Sequence, residues 1–194
     1  MREQAKREVK PVELEVFGPF ELSVKKIGGT RVVEMTRKEL IELAHRRYPR
    51  HNFAAKSGCY VFALRSGRGS MPYYVGKAQA QELCREALTS DKLNKYHLQL
   101  AKKSGTPILF FVASARPGDN KLPASVVNEL ERELIDACCL ANPEGILNIH
   151  HLASARGRFR VAGVPWMGAG RTRGKPSTTA QEFNRLWSRF RAFR

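Results

Sequence analysis

The segment 125–140, SVVNELERELIDACCL, carries four carboxylates, and one of them falls where a helix would bury it. At about 100° per residue, Val127, Leu130, Leu134, Ile135 and Cys138 share one side of the helix. Glu131 lies in the middle of that arc, whereas Glu129, Arg132, Glu133 and Asp136 project to the other side as solvated charges. A carboxylate among apolar side chains is costly unless it is paired, protonated or bound to a cation. Glu131 therefore reads as the partner of a buried arginine, as a residue at the edge of the core, or as a catalytic or metal-binding group.

The elements that must position this glutamate are legible in outline. Residues 12–34 read as strand and turn, and Thr36-x-x-Glu39 announces a helix that ends before Pro49. From Gly58 the run GCYVFALR is rich in β-formers, and the turn-like SGRGSMP leads into a second short run, YYVGKA, which makes a hairpin. Residues 80–102 space their leucines as helix, Gly105-Thr106-Pro107 stops them, and ILFFVAS follows as strand. Ser125 reads as the cap of the helix that carries Glu131, and Asn142-Pro143 as its end. Near the C-terminus Thr179-x-x-Glu182 opens a last helix with Phe183, Leu186, Trp187 and Phe190 on one face, suited to docking on the core or gripping DNA.

Gly58-Cys59-Tyr60 stands on the first hairpin strand and Tyr74-Val75-Gly76 on the second, with Lys77 directly after. Each tripeptide is weak alone. Two tyrosine-bearing strands about 14 residues apart, then a helix with Glu-x-x-Leu-Ile, then Pro and Leu-Asn, make a more specific pattern. Over roughly residues 57–150 the chain resembles a GIY-YIG nuclease, with GCY in place of GIY and YVG in place of YIG. The resemblance implies an α/β fold with a small, mostly antiparallel three-stranded sheet flanked by helices. Residues 51–151 would form this core, residues 1–50 an N-terminal strand and helix extension packed on it, and residues 152–194 a basic C-terminal extension that binds nucleic acid.

The activity so implied is metal-dependent endonucleolytic hydrolysis of phosphodiester bonds. Such hydrolysis needs an activated water, neutralised phosphate charge and help for the leaving oxygen. A hard divalent ion, Mg2+ or Mn2+, keeps most of its waters and often takes only one or two protein carboxylates, so Glu131 can serve as the metal ligand. The resemblance gives Tyr60 a part in activating water and Tyr74 a part in assisting it or positioning the phosphate. A phenol of ordinary pKa about 10 is a poor base near neutrality, and Lys77 and the ion would both favour its ionisation, which joins these groups into one site. Asn148 matches the family's supporting asparagine. Arg85 lies at about the distance of its phosphate-clamping arginine, although CREALTSDKLNKYH departs from the family pattern and Lys92, Lys95, Tyr96 or His97 could share that role. Gly76 reads as a point of close backbone approach.

The formal charge is +16, and ten basic residues against one acidic residue fall within 152–194. This excess points to an anionic partner, nucleic acid with DNA favoured over RNA, and the extended run RGRFRV would put Arg156, Arg158 and Arg160 on one face. Arg171, Arg173 and Lys175 in the glycine-rich stretch that follows add to the expected grip, as does Lys92. His150-His151 with His97 lacks the spacing of a zinc site. Cys59, Cys84, Cys138 and Cys139 form no C-x-x-C pair and read as reduced thiols, which suits a cytoplasmic setting. The charged start MREQAKREVK does not read as a secretory signal, and no apolar run approaches the roughly 20 residues that span a bilayer, so no membrane role is expected. A non-catalytic nucleic-acid-binding module with the same fold is the rival expectation, motivated by the irregular stretch 84–97.

Overall fold

The computed structural model describes residues 11–67, 69–148, 159–164, 167 and 175–187. Strands β1 (Val12–Glu21), β4 (Gly58–Ser66), β5 (Gly69–Ala78), β6 (Thr106–Ser114) and β7 (Phe159–Val161) form one sheet in the order β5-β4-β6-β1-β7. Strands β2 (Val24–Ile27) and β3 (Thr30–Val33) form a separate hairpin. Five helices are described: α1 (Arg37–Arg47), α2 (Leu83–Glu86), α3 (Ser90–Lys102), α4 (Ala124–Ala141) and α5 (Thr178–Arg185).

This architecture corrects the expected three-stranded antiparallel sheet. The three expected strands are present as β5-β4-β6, but β1 adds antiparallel to β6 and β7 adds parallel to β1, giving a five-stranded mixed sheet. The physical reason lies in β6, which is buried along almost its whole length. A strand buried on both faces cannot leave its N–H and C=O groups unpaired at either edge. β1 meets that requirement, with Leu14 opposite Ser114 and Val16 opposite Val112. The unbroken apolar run ILFFV was the available signal, because such a run belongs to a central strand rather than to an edge.

The sheet has helices on both sides. Cys59, Val61, Ala63, Val75, Phe110 and Val112 face α4 and α5, and Tyr60, Phe62, Tyr74, Leu109 and Phe111 face α1, α2 and α3. On the second side Phe62 and Tyr96 stack at 4.0 Å between ring centroids. On the first, α5 presses Phe183 against Phe110 at 5.3 Å, with Trp187 beside it. Phe183, Leu186 and Trp187 are therefore core, each large side chain contributing on the order of 2 kcal/mol by burial, while Phe190 lies outside the described residues.

Local signals fared unevenly. Thr36 and Glu39 form a complete capping box at α1. The expected cap of α4 at Ser125 is instead Pro123, and that of α5 is Ser177, whose hydroxyl accepts from Ala180 N. Thr179 is inside the helix and donates to Gly18 O at 2.8 Å, fastening α5 to β1. No helix among the described residues is long and apolar enough to cross a membrane.

Candidate functional site around strand β5

Strand β5 carries most of the expected site, and its two-residue alternation decides which groups can meet. Tyr74 and Gly76 point to the α1–α3 side. Val75 and Lys77 point to the α4 side, where Lys77 stands opposite Cys59 in the β4–β5 register.

On the α4 side, Lys77 Nζ lies 2.8 Å from Glu131 Oε2 and donates to Asn128 Oδ1 at 2.9 Å. Glu131 thus has a lysine partner rather than an arginine, and its side chain is 21% exposed. Asn128 and Glu131 are three residues apart on α4, so their oxygens project from one helix face towards a single point. Gln79 donates to Ala124 O at 3.1 Å and tightens the same junction. The environment registers on Cys59, whose thiol burial pushes well up; Glu131 adds to that shift and Lys77 opposes it. Glu129, expected as a solvated charge, is instead buried at 8% exposure.

On the other side, Tyr60 is completely buried and its hydroxyl makes no hydrogen bond among the described residues. Burial pushes its phenol far above the ordinary value, and the surroundings of Tyr96, Tyr74 and Glu86 push in the same direction. Gly76 sits opposite Tyr60, and a Cβ there would overlap the phenol ring. The expected close approach at Gly76 is therefore that of a tyrosine inside the protein. Gly58 is equally constrained, with φ of 152° and the Val112 carbonyl where a Cβ would go.

Tyr74 is 7% exposed and lies 6.2 Å from the Tyr60 ring. Lys95 and Lys92 stand over it, with their ammonium groups 4.9 and 5.8 Å from its centroid. Both lysines bond Asp91, at 2.7 Å from Lys92 and 2.9 Å from Lys95, and these bonds hold the Asp91 carboxyl down at about 2. Burial works against the Lys92 ammonium, but the hydrogen bond to Asp91 and the nearby Tyr74 outweigh it and raise its pKa. Arg85 is exposed on the single turn of α2, and its guanidinium has no ion pair among the described residues. His97 is committed elsewhere, accepting from Val33 N at 3.0 Å.

Asn148 covers the outer edge of β5. Its amide accepts from Val75 N and donates to Val75 O, both at 2.8 Å, and Leu147 N donates to Tyr73 O. Asn142 does the same one step away, donating to Pro72 O at 2.7 Å. These side chains occupy an edge that would otherwise be open to pairing.

The structure thus brings Lys77 to Glu131, and Tyr60 to Tyr74, while strand alternation separates the two pairs that were expected to act together. Asn128 escaped the sequence analysis, although its i−3 spacing from Glu131 was the signal that could have found it. A buried cation was also missed: Lys56 is fully buried and donates to the carbonyls of Ser114, Arg116 and Asp119. Of the expected phosphate contacts in the C-terminal region, Lys175 is exposed and Arg160 lies 4.0 Å from Glu13. Arg156, Arg158, Arg171 and Arg173, with His150 and His151, lie outside the described residues.

Among the described residues no three His, Cys, Asp or Glu side chains gather as a metal site. A divalent ion would rest on Glu131 with neutral oxygen donors, and Asn128 Oδ1, already converging with Glu131 on one cation, fits that chemistry. All four cysteines are free. No family model matches the chain, and no curated protein or solved structure matches it either.

Proposed function

We propose that this protein is a metal-dependent endonuclease that hydrolyses phosphodiester bonds in nucleic acid, DNA ahead of RNA, in a cytoplasmic setting. The observation that supports it is the convergence of Glu131 Oε2 and Asn128 Oδ1 on one cation, at the end of the strand reading YVGK. The net charge of +16 supports a polyanionic substrate.

Mg2+ or Mn2+ held by Glu131, with Asn128 as a neutral donor, would supply phosphate neutralisation and a more acidic water. The chain's own groups do the rest. Lys77 is 38% exposed and can swing from Glu131 to a phosphate oxygen at little cost, since a half-exposed ion pair contributes at most about 1 kcal/mol. Lys92 and Lys95, gathered over Tyr74, present positive charge on the other side of β5. Tyr60 in this conformation is a packing residue, because a fully buried phenol cannot exchange a proton with a water at the surface.

A second reading, a nucleic-acid-binding module without catalysis, is favoured by that same burial of Tyr60 and by the ion pair that neutralises Glu131. The discriminating experiment is cleavage of labelled single-stranded, double-stranded and branched DNA, and of RNA, with Mg2+ or Mn2+ against EDTA. Glu131→Ala is expected to lower cutting on the order of 10²-fold or more while binding stays near wild type. Cutting that survives Glu131→Ala would overturn the assigned site, and binding without cutting on every substrate would establish the second reading.

A further inference from the structure

The β2–β3 hairpin and the C-terminal end of α3, the end away from Lys92 and Lys95, form an open groove of about 420 Å3. Lys26 and Arg31 line it from the hairpin and Lys102 and Lys103 from the end of α3, with Thr30 and Ser104 also in the lining. No acidic residue lines the groove. None of the four cations has a carboxylate partner among the described residues, whereas neighbouring Lys25 pairs with Glu34 and Lys95 with Asp91.

Lys26 and Arg31 are direct cross-strand partners, and like charges directly opposite each other destabilise a hairpin. Lysines at the end of α3 have an ordinary explanation in the helix dipole, but that does not account for the two cations facing them from the hairpin. The walls are fixed rather than loose. Arg31 also donates to Gly105 O, Val33 N donates to His97, and Leu22 N donates to Pro107 O at 2.9 Å.

We infer that this groove is a seat for the phosphate backbone of nucleic acid, a second contact surface in addition to the β5 site. The inference rests on the nucleic-acid reading of the protein. Unpaired Lys and Arg together with Ser and Thr hydroxyls are the groups that contact phosphates without reading sequence. The groove would hold substrate in place independently of the chemistry at Glu131.

The test uses the intact chain and fluorescence anisotropy of labelled duplex DNA and of matched RNA across a salt series. The variant K26Q/K102Q/K103Q leaves Arg31 and its bond to Gly105 in place. The comparison variant K38Q/R46Q/K121Q removes three exposed cations elsewhere. The groove variant is expected to bind about tenfold or more weakly at physiological salt, with its salt slope reduced by about 0.9 for each lysine removed. Equal losses in the two variants would overturn the groove and leave the nucleic-acid reading standing. Absence of binding by the wild-type chain would overturn both. Loss of binding to phosphatidylserine vesicles in the groove variant, with nucleic-acid affinity unchanged, would reassign the groove to lipid headgroups and overturn the inference. Should the triple variant unfold early, the single changes K26Q and K103Q carry the same comparison at smaller amplitude.

Discussion

On the α4 side of β5, Lys77 and Glu131 keep 38% and 21% of their side chains exposed and share an ion pair, whereas on the opposite side Tyr60 is completely buried with its hydroxyl unpartnered among the described residues. The two sides therefore differ in what they can do without unfolding. A half-exposed pair exchanges partners cheaply because water and salt already screen it. A buried aromatic moves only if its neighbours move, and here Gly76, Tyr74 and Tyr96 enclose it. On the proposed nuclease reading, chemistry that needs a cation, a water and a mobile charge would take place on the α4 side, while the tyrosine side packs the β4–β5 hairpin in the register that sets Lys77 opposite Cys59.

The hardest way to break that comparison is through Gly76. Gly76→Ala would push a methyl group into the Tyr60 ring and is expected to cost about 3 kcal/mol in urea-induced unfolding. In a Tyr60→Leu background the same change is expected to cost at least about 1 kcal/mol less, because the ring it strikes is gone. Equal costs in the two backgrounds would show that Tyr60 is not the neighbour that matters.

A smaller effect sharpens the α4 side. Lys77→Met removes the ammonium now held by Glu131 and Asn128, so Mn2+ affinity, read by electron paramagnetic resonance, is expected to tighten roughly tenfold. Unchanged affinity would place the metal elsewhere. Tyr60→Phe bears on the other side: stability is expected to change by no more than about 1 kcal/mol, since the hydroxyl has no partner to lose. Cleavage should stay within about threefold of wild type, and a loss of about 10²-fold would bring the tyrosine side into the reaction.

The smallest expected effect concerns Asp91, which holds the lysines over Tyr74. Its folded-state pKa, about 2, is below the unfolded value, so its contribution to stability is present above that unfolded value and is lost as pH falls towards 2. An NMR titration of Asp91 is expected to show that low midpoint, and Lys92→Gln to raise it.

Much of this was legible because it is local. The Thr36 and Glu39 box, the tyrosine-bearing hairpin and the helix that places Glu131 among apolar residues all follow from spacings of a few residues. Even the division of the site was within reach, since alternation along Tyr74-Val75-Gly76-Lys77 already sets Tyr74 and Lys77 on opposite faces. Shared motif membership does not make residues neighbours. Asn148 shows the same limit: its amide is spent on Val75, a pairing across 73 residues that no local pattern encodes.

By itself the sequence determined the charge, the hairpin, the helix carrying Glu131 and the apolar run of β6. Tertiary structure alone decided that β1 pairs with β6 and β7 with β1, that Lys77 rather than an arginine meets Glu131, and that Tyr60 is sealed inside. The physical reason is one of range. Capping, alternation and amphipathic spacing act between residues a few positions apart, whereas edge pairing, ion pairing and burial are settled only when distant segments compete for the same space.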